Sequence, residues 1–233
     1  MTTDHVDPSL TVTPVLVGDL LAEDDRMPVY VHIIDHPDGR VLVDTGLTQL
    51  HPLVADMDPR LTPLSAQAGF DPASIDIVVN THLHFDHCGG NHLFSGRPIY
   101  VQRQELDDAR SEDDYTIREW VDPPGVQYVP VDGAYEVLPG VRLVPTPGHT
   151  RGSQVVVIGT GERPVVVCGD TAVFFADLDE PRTEGQRLVR AGRQGQPVRA
   201  AGRPARRVPR HLAERPLRHR AGAEQAAAAH HRP

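Results

Sequence analysis

The chain has 233 residues and a formal net charge of −9, with 39% hydrophobic and 5% aromatic residues, which suits one domain with part of the chain left out of its core. No apolar run approaches the roughly 20 residues a membrane helix needs, and the start Met1-Thr2-Thr3-Asp4-His5 lacks the basic and apolar stretches of a secretory signal. Two cysteines, Cys88 and Cys168, exclude a disulfide-rich scaffold and an all-cysteine zinc site, so the expected setting is cytoplasmic, with free thiols and no membrane partner.

In chain order, Pro28 to Ile34 reads as a strand, His36 to Arg40 as a turn and Val41 to Asp44 as a second strand, together a hairpin. Residues 48–70, interrupted by Pro52, Pro59 and Pro63, read as short helices and loops over one face. Asp71-Pro72 opens a helical turn, with Asp as cap and Pro in the first position. Ile75 to Asn80 is a buried strand, and Pro98 to Val101 is another. Glu105 to Trp120 is charged with sparse apolar positions, which predicts a surface helix or two. Gln127 to Val131 and Tyr135 to Val137 alternate like strands, and Val141 to Val144 follows the turn at Pro139-Gly140. Gln154 to Ile158 and Pro164 to Cys168 flank Gly159-Thr160-Gly161 as a further hairpin. Many strands with interspersed helices predict an α/β sandwich.

The net charge hides a split. Residues 1–185 hold 11 arginines against 30 acidic residues, residues 186–233 hold 12 arginines against 2 glutamates, and the chain has no lysine. The last segment has no aromatic residue, Ile or Asp, so it can bury little surface to offset its chain entropy. The expected division is a domain over residues 1–190 and an Arg/Ala/Pro-rich tail over 191–233. Three readings of the tail stay open. The abrupt loss of patterning favours text read out of frame in a GC-rich gene; the others are a solvated extension and a basic arm for an acidic partner. The acidic body offers no surface for nucleic acid.

The chemistry sits at strand ends. The strand ending at Asn80 runs into Thr81-His82-Leu83-His84-Phe85-Asp86-His87-Cys88-Gly89-Gly90-Asn91. His82, His84 and Asp86 are two apart, so an extended segment places them on one side, and His87 follows where the chain turns toward a helix. Three imidazoles and a carboxylate within six residues form a ligand set that zinc and similar metals favour. His149 lies in a Pro/Gly loop after one strand, in Thr146-Pro147-Gly148-His149, and Asp170 ends the strand Val167-Cys168-Gly169-Asp170. Beside the histidine cluster these two are the expected remaining ligands.

The pattern His82-Leu83-His84-Phe85-Asp86-His87, with His149 and Asp170 further on, resembles the metallo-β-lactamase superfamily. The likeness runs from about residue 28 to about residue 180 and includes Asp44-Thr45-Gly46. With Gly89-Gly90-Asn91, Val101-Gln102-Arg103 and Thr146-Pro147-Gly148-His149, the layout is most similar to the N-acyl homoserine lactonase branch. The resemblance implies an αββα sandwich, incomplete at the C-terminus, and two metals, zinc or another divalent transition metal. His82, His84 and His149 would hold one, Asp86 and His87 the other, with Asp170 bridging. Two dications would turn a shared water into hydroxide near neutral pH for attack on a lactone, ester or thioester carbonyl. Asp86 would orient that water and pass its proton to the leaving oxygen. Asp44 would fix a ligand or loop by hydrogen bonds, or serve only as a strand-end turn residue.

Two departures from the branch stand out. Val173, followed by Phe174-Phe175, occupies the place of a tyrosine three residues after the bridging Asp, which redirects the substrate pocket. The final His-Asp pair of the family is absent from the tail, where His211 is a poor substitute, so one metal alone is an open alternative. The expected function is therefore a metal-dependent hydrolase of the lactonase type. The alternatives are a glyoxalase II-like or phosphotriesterase-like hydrolase, or a remnant that has lost the last ligand.

Overall fold

The computed structural model describes residues 10–22, 25–62, 64, 70–159 and 164–172. Eleven strands form two sheets among these residues. The larger sheet has the order β4-β1-β2-β3-β5-β6-β7, and the smaller the order β11-β10-β9-β8. In the larger sheet β1 is Thr11–Ala22, β2 Asp25–Asp35, β3 Val41–Val43, β4 Arg60–Leu61, β5 Ile77–Val79, β6 Pro98–Gln102 and β7 Gln127–Val131. In the smaller one β8 is Tyr135–Leu138, β9 Val141–Pro145, β10 Gln154–Ile158 and β11 Val165–Val167. The helices are α1, Phe85–Cys88, and α2, Arg103–Ser111.

Period-two patterning sorts the apolar side chains between two faces. Ile34, Val41, Val43, Val79 and Val131 of the larger sheet meet Val141, Leu143, Val156, Ile158 and Val167 of the smaller one. Leu42, Val78 and Ile99 point the other way. There they pack under Leu47, Val54, Leu64, Phe70, Phe94 and Trp120 from the connecting segments. The larger sheet is thus covered on both faces, which explains why β3 is buried at all three positions and reads as a continuous apolar run. Each fully buried Val or Leu contributes about 1.5–3 kcal/mol relative to exposure.

The hairpin of β2 and β3 forms as expected, antiparallel, with Gly39 at φ 150° in its turn. Asp71 caps its helical turn by accepting from Ala73 N at 2.9 Å. Two elements differ from expectation. β1 is a full strand paired with β2 along its length. Its irregular burial, with an exposed Pro14 in mid-strand and a register shift between Leu16 and Gly18, hides the alternation that marks a strand. The second difference lies within α2, a surface helix with Arg103, Gln104, Asp107, Arg110 and Ser111 exposed, whose inner face buries Glu105 and Asp108 beside Leu106 and Ala109. Glu105 and Asp108 have partners inside the fold, which a charge pattern cannot reveal.

β3, β5, β6 and β7 run parallel, so their C-terminal ends meet at one edge of the sheet. β9 and β11 both run antiparallel to β10 and therefore end on a common edge of the smaller sheet. The backbone bond Gln154 N to Thr81 O, 3.0 Å, joins the two edges. Gln154 Nε2 adds a second tie by donating to Asn80 O at 2.8 Å. No helix among the described residues is long and apolar enough to cross a membrane.

Candidate metal centre

Five segments leave strand ends and converge at this joined edge. Asp44 follows β3, the stretch from Thr81 to His87 follows β5, and Glu105 lies just beyond β6. His149 follows β9, and Asp170 follows β11.

Asp44 adopts φ 59°, which is uncommon for a residue with a side chain. The surrounding bonds hold it there. Its N–H donates to Val79 O at 2.8 Å, and its carboxylate accepts from Thr81 N at 2.7 Å and Thr81 Oγ1 at 2.8 Å. The same carboxylate lies 2.8 Å from His87 Nδ1. A proton on Nδ1 leaves the Nε2 lone pair free, and Nε2 lies 3.3 Å from Asp170 Oδ1. Asp44 is buried and bonded to the cluster, which separates it from a solvated turn residue.

His84 has extended backbone angles, the His82 and His84 rings lie 4.7 Å apart, and Leu83 between them is buried in the core. The alternation stops there. α1 begins at Phe85, so Asp86 projects from a helical turn rather than from the extended run that the spacing suggests. In this turn the backbone N–H of Asp86 itself favours its ionised carboxylate. Gly89 and Gly90 follow in tight quarters: a Cβ on Gly89 would sit 2.7 Å from Phe85 O, and one on Gly90 2.5 Å from Thr45 O.

From the smaller sheet, His149 Nε2 comes within 2.9 Å of His84 Nδ1 and 3.4 Å of Asp170 Oδ2. Thr146 and Thr171 brace these two loops through a hydroxyl pair at 2.8 Å. Two groups of potential ligand atoms result, each within 4.8 Å: His82, His84 and His149, and His82, His87 and Asp170. Asp86 belongs to neither trio, with Oδ2 3.8 Å from His87 Nε2. A cavity of about 370 Å³ opens beside His149, lined by Asp108, Glu112, Tyr115, Pro147 and Arg151 among others.

The electrostatics divide the cluster. Burial pushes the His82, His84 and His149 imidazoles down, His84 to about 3, and neighbouring imidazoles add to the effect. Burial would also lower His87, but the carboxylates of Asp170, Asp86 and Asp44 outweigh it and raise its pKa well above the ordinary value. Burial pushes the Asp86 carboxyl up to about 6, with Asp170 and Asp44 opposing its charge and His87 favouring it. Burial works to raise Asp170 too, yet His87, then His149 and His84, hold it well below the usual carboxylate range.

These residues fit a metal. His82 Nε2 is buried and lacks a hydrogen-bond partner among the described residues, and His84 Nδ1 meets only another imidazole nitrogen, His149 Nε2. Such a group costs about 1–3 kcal/mol when nothing binds it. Neutral imidazoles are the ligand form, and three carboxylates around His87 favour positive charge at that point.

Spacing in the sequence gives no sign of Glu105, Thr81 or Thr150 as parts of this cluster, because their bonds reach residues far along the chain. The charge-rich look of α2 actively conceals Glu105. Cys88 is the small buried residue expected of it. His51 caps a turn and bonds Glu119 at 2.8 Å, and His92 Nδ1 sits 3.2 Å from Gly89 O, so neither joins the cluster. Val173, Phe174, Phe175, His211 and the tail over 191–233 lie outside the described residues.

Comparison with known proteins agrees with this geometry. The family model of the metallo-β-lactamase superfamily matches residues 24–211. An N-acyl homoserine lactonase from a Bacillus species is 34% identical over 187 residues, covering 72% of this chain and 71% of that protein. A variant of AiiA from B. thuringiensis, crystallised with N-decanoyl-L-homoserine at its active site, superposes with a TM-score of 0.62 at 26% identity, over 72% of this chain and 78% of the other. An N-acyl homoserine lactone hydrolase with its product N-hexanoyl-L-homoserine at the catalytic metal centre superposes with a TM-score of 0.61 at 27% identity, over 73% and 78%. Fold, strand-end cluster and sequence match lead to one conclusion: the chain belongs to the metallo-β-lactamase superfamily and is a hydrolase of lactonase type.

Proposed function

We propose that this chain opens the lactone ring of N-acyl homoserine lactones, using divalent metal held by its strand-end cluster. The observation that carries the reading is the convergence of His82, His84 and His149 beside His82, His87 and Asp170. The relatives named above act on or bind such lactones and their products.

His82, His84 and His149 would hold one ion through three neutral imidazoles. Asp86, His87 and Asp170 would hold a second, with Asp170 shared, since its two oxygens face His87 and His149 separately. Bound metal supplies a Lewis acid for the carbonyl and a water that ionises near neutral pH. Asp44 keeps the His87 Nε2 lone pair turned into the site. Asp86, at the open side with its side chain 20% exposed, orients the water and carries its proton to the ring oxygen as the ester bond breaks. Ring opening adds one water across the ester and releases N-acyl homoserine.

The test is proton release on adding N-acyl homoserine lactones of several chain lengths to zinc-loaded protein. Ring opening that a chelator abolishes and added zinc restores is expected. Hydrolysis of thioesters or phosphotriesters with no action on lactones would overturn the substrate assignment.

A further inference from the structure

Glu105 is a carboxylate with no exposed surface, placed in the first turn of α2. None of its hydrogen bonds goes to the six residues assigned to the metals. Its bonds go to their neighbours. Oε1 accepts from Leu83 N at 2.7 Å, the peptide between His82 and His84. Oε2 accepts from the hydroxyl of Thr150, the residue after His149. A third donor, the Tyr115 hydroxyl, also reaches Oε1, and the Tyr115 ring centroid lies 5.4 Å from that of His84.

Three donors on two oxygens suit an ionised acceptor-only carboxylate, and charge-assisted bonds of this kind are about twice as strong as neutral ones. The rest of the contact is equally close. Thr150 is itself fixed by Ser153 Oγ, which accepts from Thr150 N at 3.0 Å and lies 2.6 Å from the Thr150 hydroxyl. Gly152 packs its α-carbon against the Glu105 backbone, where a Cβ would collide with Glu105 N and Cβ. Gln154 ties the sheets together further back, at Asn80 and Thr81. Among the described residues, Glu105 grips both loops at the residues adjoining the imidazoles.

We infer that Glu105 is a positioning residue that locks the His82–His84 loop to the His149 loop, so that three imidazoles meet at one metal. The 2.9 Å approach of His84 Nδ1 to His149 Nε2 joins the same two loops and is the geometry this tie maintains. To ligate one ion both of these nitrogens would have to present lone pairs to the same point, which repel each other without the ion, so a tie between the two loops would help hold them there. Partners that orient ligands in this way change metal affinity by about 10–100-fold when removed. The inference rests on the metal-binding reading given above.

The experiment measures zinc affinity by competition with a chromophoric chelator, for the full chain and for Glu105→Gln, Thr150→Val and Leu42→Ala. Melting of the metal-free proteins is followed in parallel. Glu105→Gln and Thr150→Val are expected to weaken the tighter zinc by about 10–100-fold. Leu42→Ala, which opens the core on the face of the larger sheet turned away from the smaller one, is expected to lower the melting temperature and leave the affinity of the folded protein unchanged. A folded Glu105→Gln with zinc affinity within about twofold of the parent overturns the inference, the expected change being at least tenfold. If Glu105→Gln does not fold, Thr150→Val decides by the same criterion. A parent chain that binds no zinc overturns the metal reading itself, and this inference with it.

Discussion

Asp44 and His87 leave the larger sheet with side chains 4% and 9% exposed, whereas His149 and Asp170 leave the smaller sheet with side chains 15% and 31% exposed. On the first side, backbone and side chain cooperate. Asp44 is pinned by Val79 O, Thr81 and His87, and Thr45 N bonds His87 O at 2.8 Å. On the second side, position depends on a few side-chain ties across the sheets, chiefly Thr150 to Glu105 and Thr146 to Thr171. The superfamily site is therefore a fixed half and a docked half. The fixed half follows from folding of one sheet, and the docked half follows only when the two sheets pack correctly.

The largest effect should come from a buried imidazole that lies in both groups of potential ligand atoms. His82→Ala is expected to remove the retained zinc and to lower kcat/KM on a lactone by about 100–1,000-fold, given what the loss of one electrostatic group in an active site costs. Elemental analysis and initial rates on the dialysed variant check this. Asp44→Asn probes the fixed half. It keeps the shape but weakens the acceptor for His87 Nδ1, so a loss of about 10–100-fold in activity at limiting zinc is expected, partly recovered by excess zinc. A variant as active as the parent at every zinc level would remove Asp44 from the account.

Gly152→Ala probes the docked half without touching a ligand. The added methyl must push the His149 loop away from α2, and a drop of about tenfold in zinc affinity is expected, at the lower end for a misplaced ligand. Isothermal titration with zinc reads it. Arg151→Ala is the smallest change. Arg151 bonds the buried Asp108 at 2.6 Å and also pairs with the exposed Glu112, so water screens the second pair but not the Asp108 carboxylate. A lower melting temperature with no measurable change in zinc affinity is expected, and a clear loss of zinc affinity would mean that the loop is anchored from outside.

The same division governs what the sequence reveals. His82, His84, Asp86 and His87 are legible because ligands at neighbouring positions form a local pattern. β3, β5 and the hairpin of β10 and β11 are legible because β-branched runs mark buried strands. Asp44 is only half legible, since Thr81 and His87 lie 37 and 43 residues further along. Glu105 is not legible at all: a glutamate in a charged helix looks solvated, and its partners are 22 and 45 residues away. β1 escapes notice because an edge-side strand with a bulge and a proline keeps no clean alternation. Local chemistry can be read along the chain, whereas a carboxylate buried between two packed sheets is defined only by the packing.

The account is tested most directly by zinc per folded chain after exhaustive dialysis, followed by uptake on adding zinc. It predicts about one ion retained, held by His82, His84 and His149, and a second, weaker ion taken up beside Asp86, His87 and Asp170. A cooperatively folded chain that retains no zinc and takes up none would contradict it.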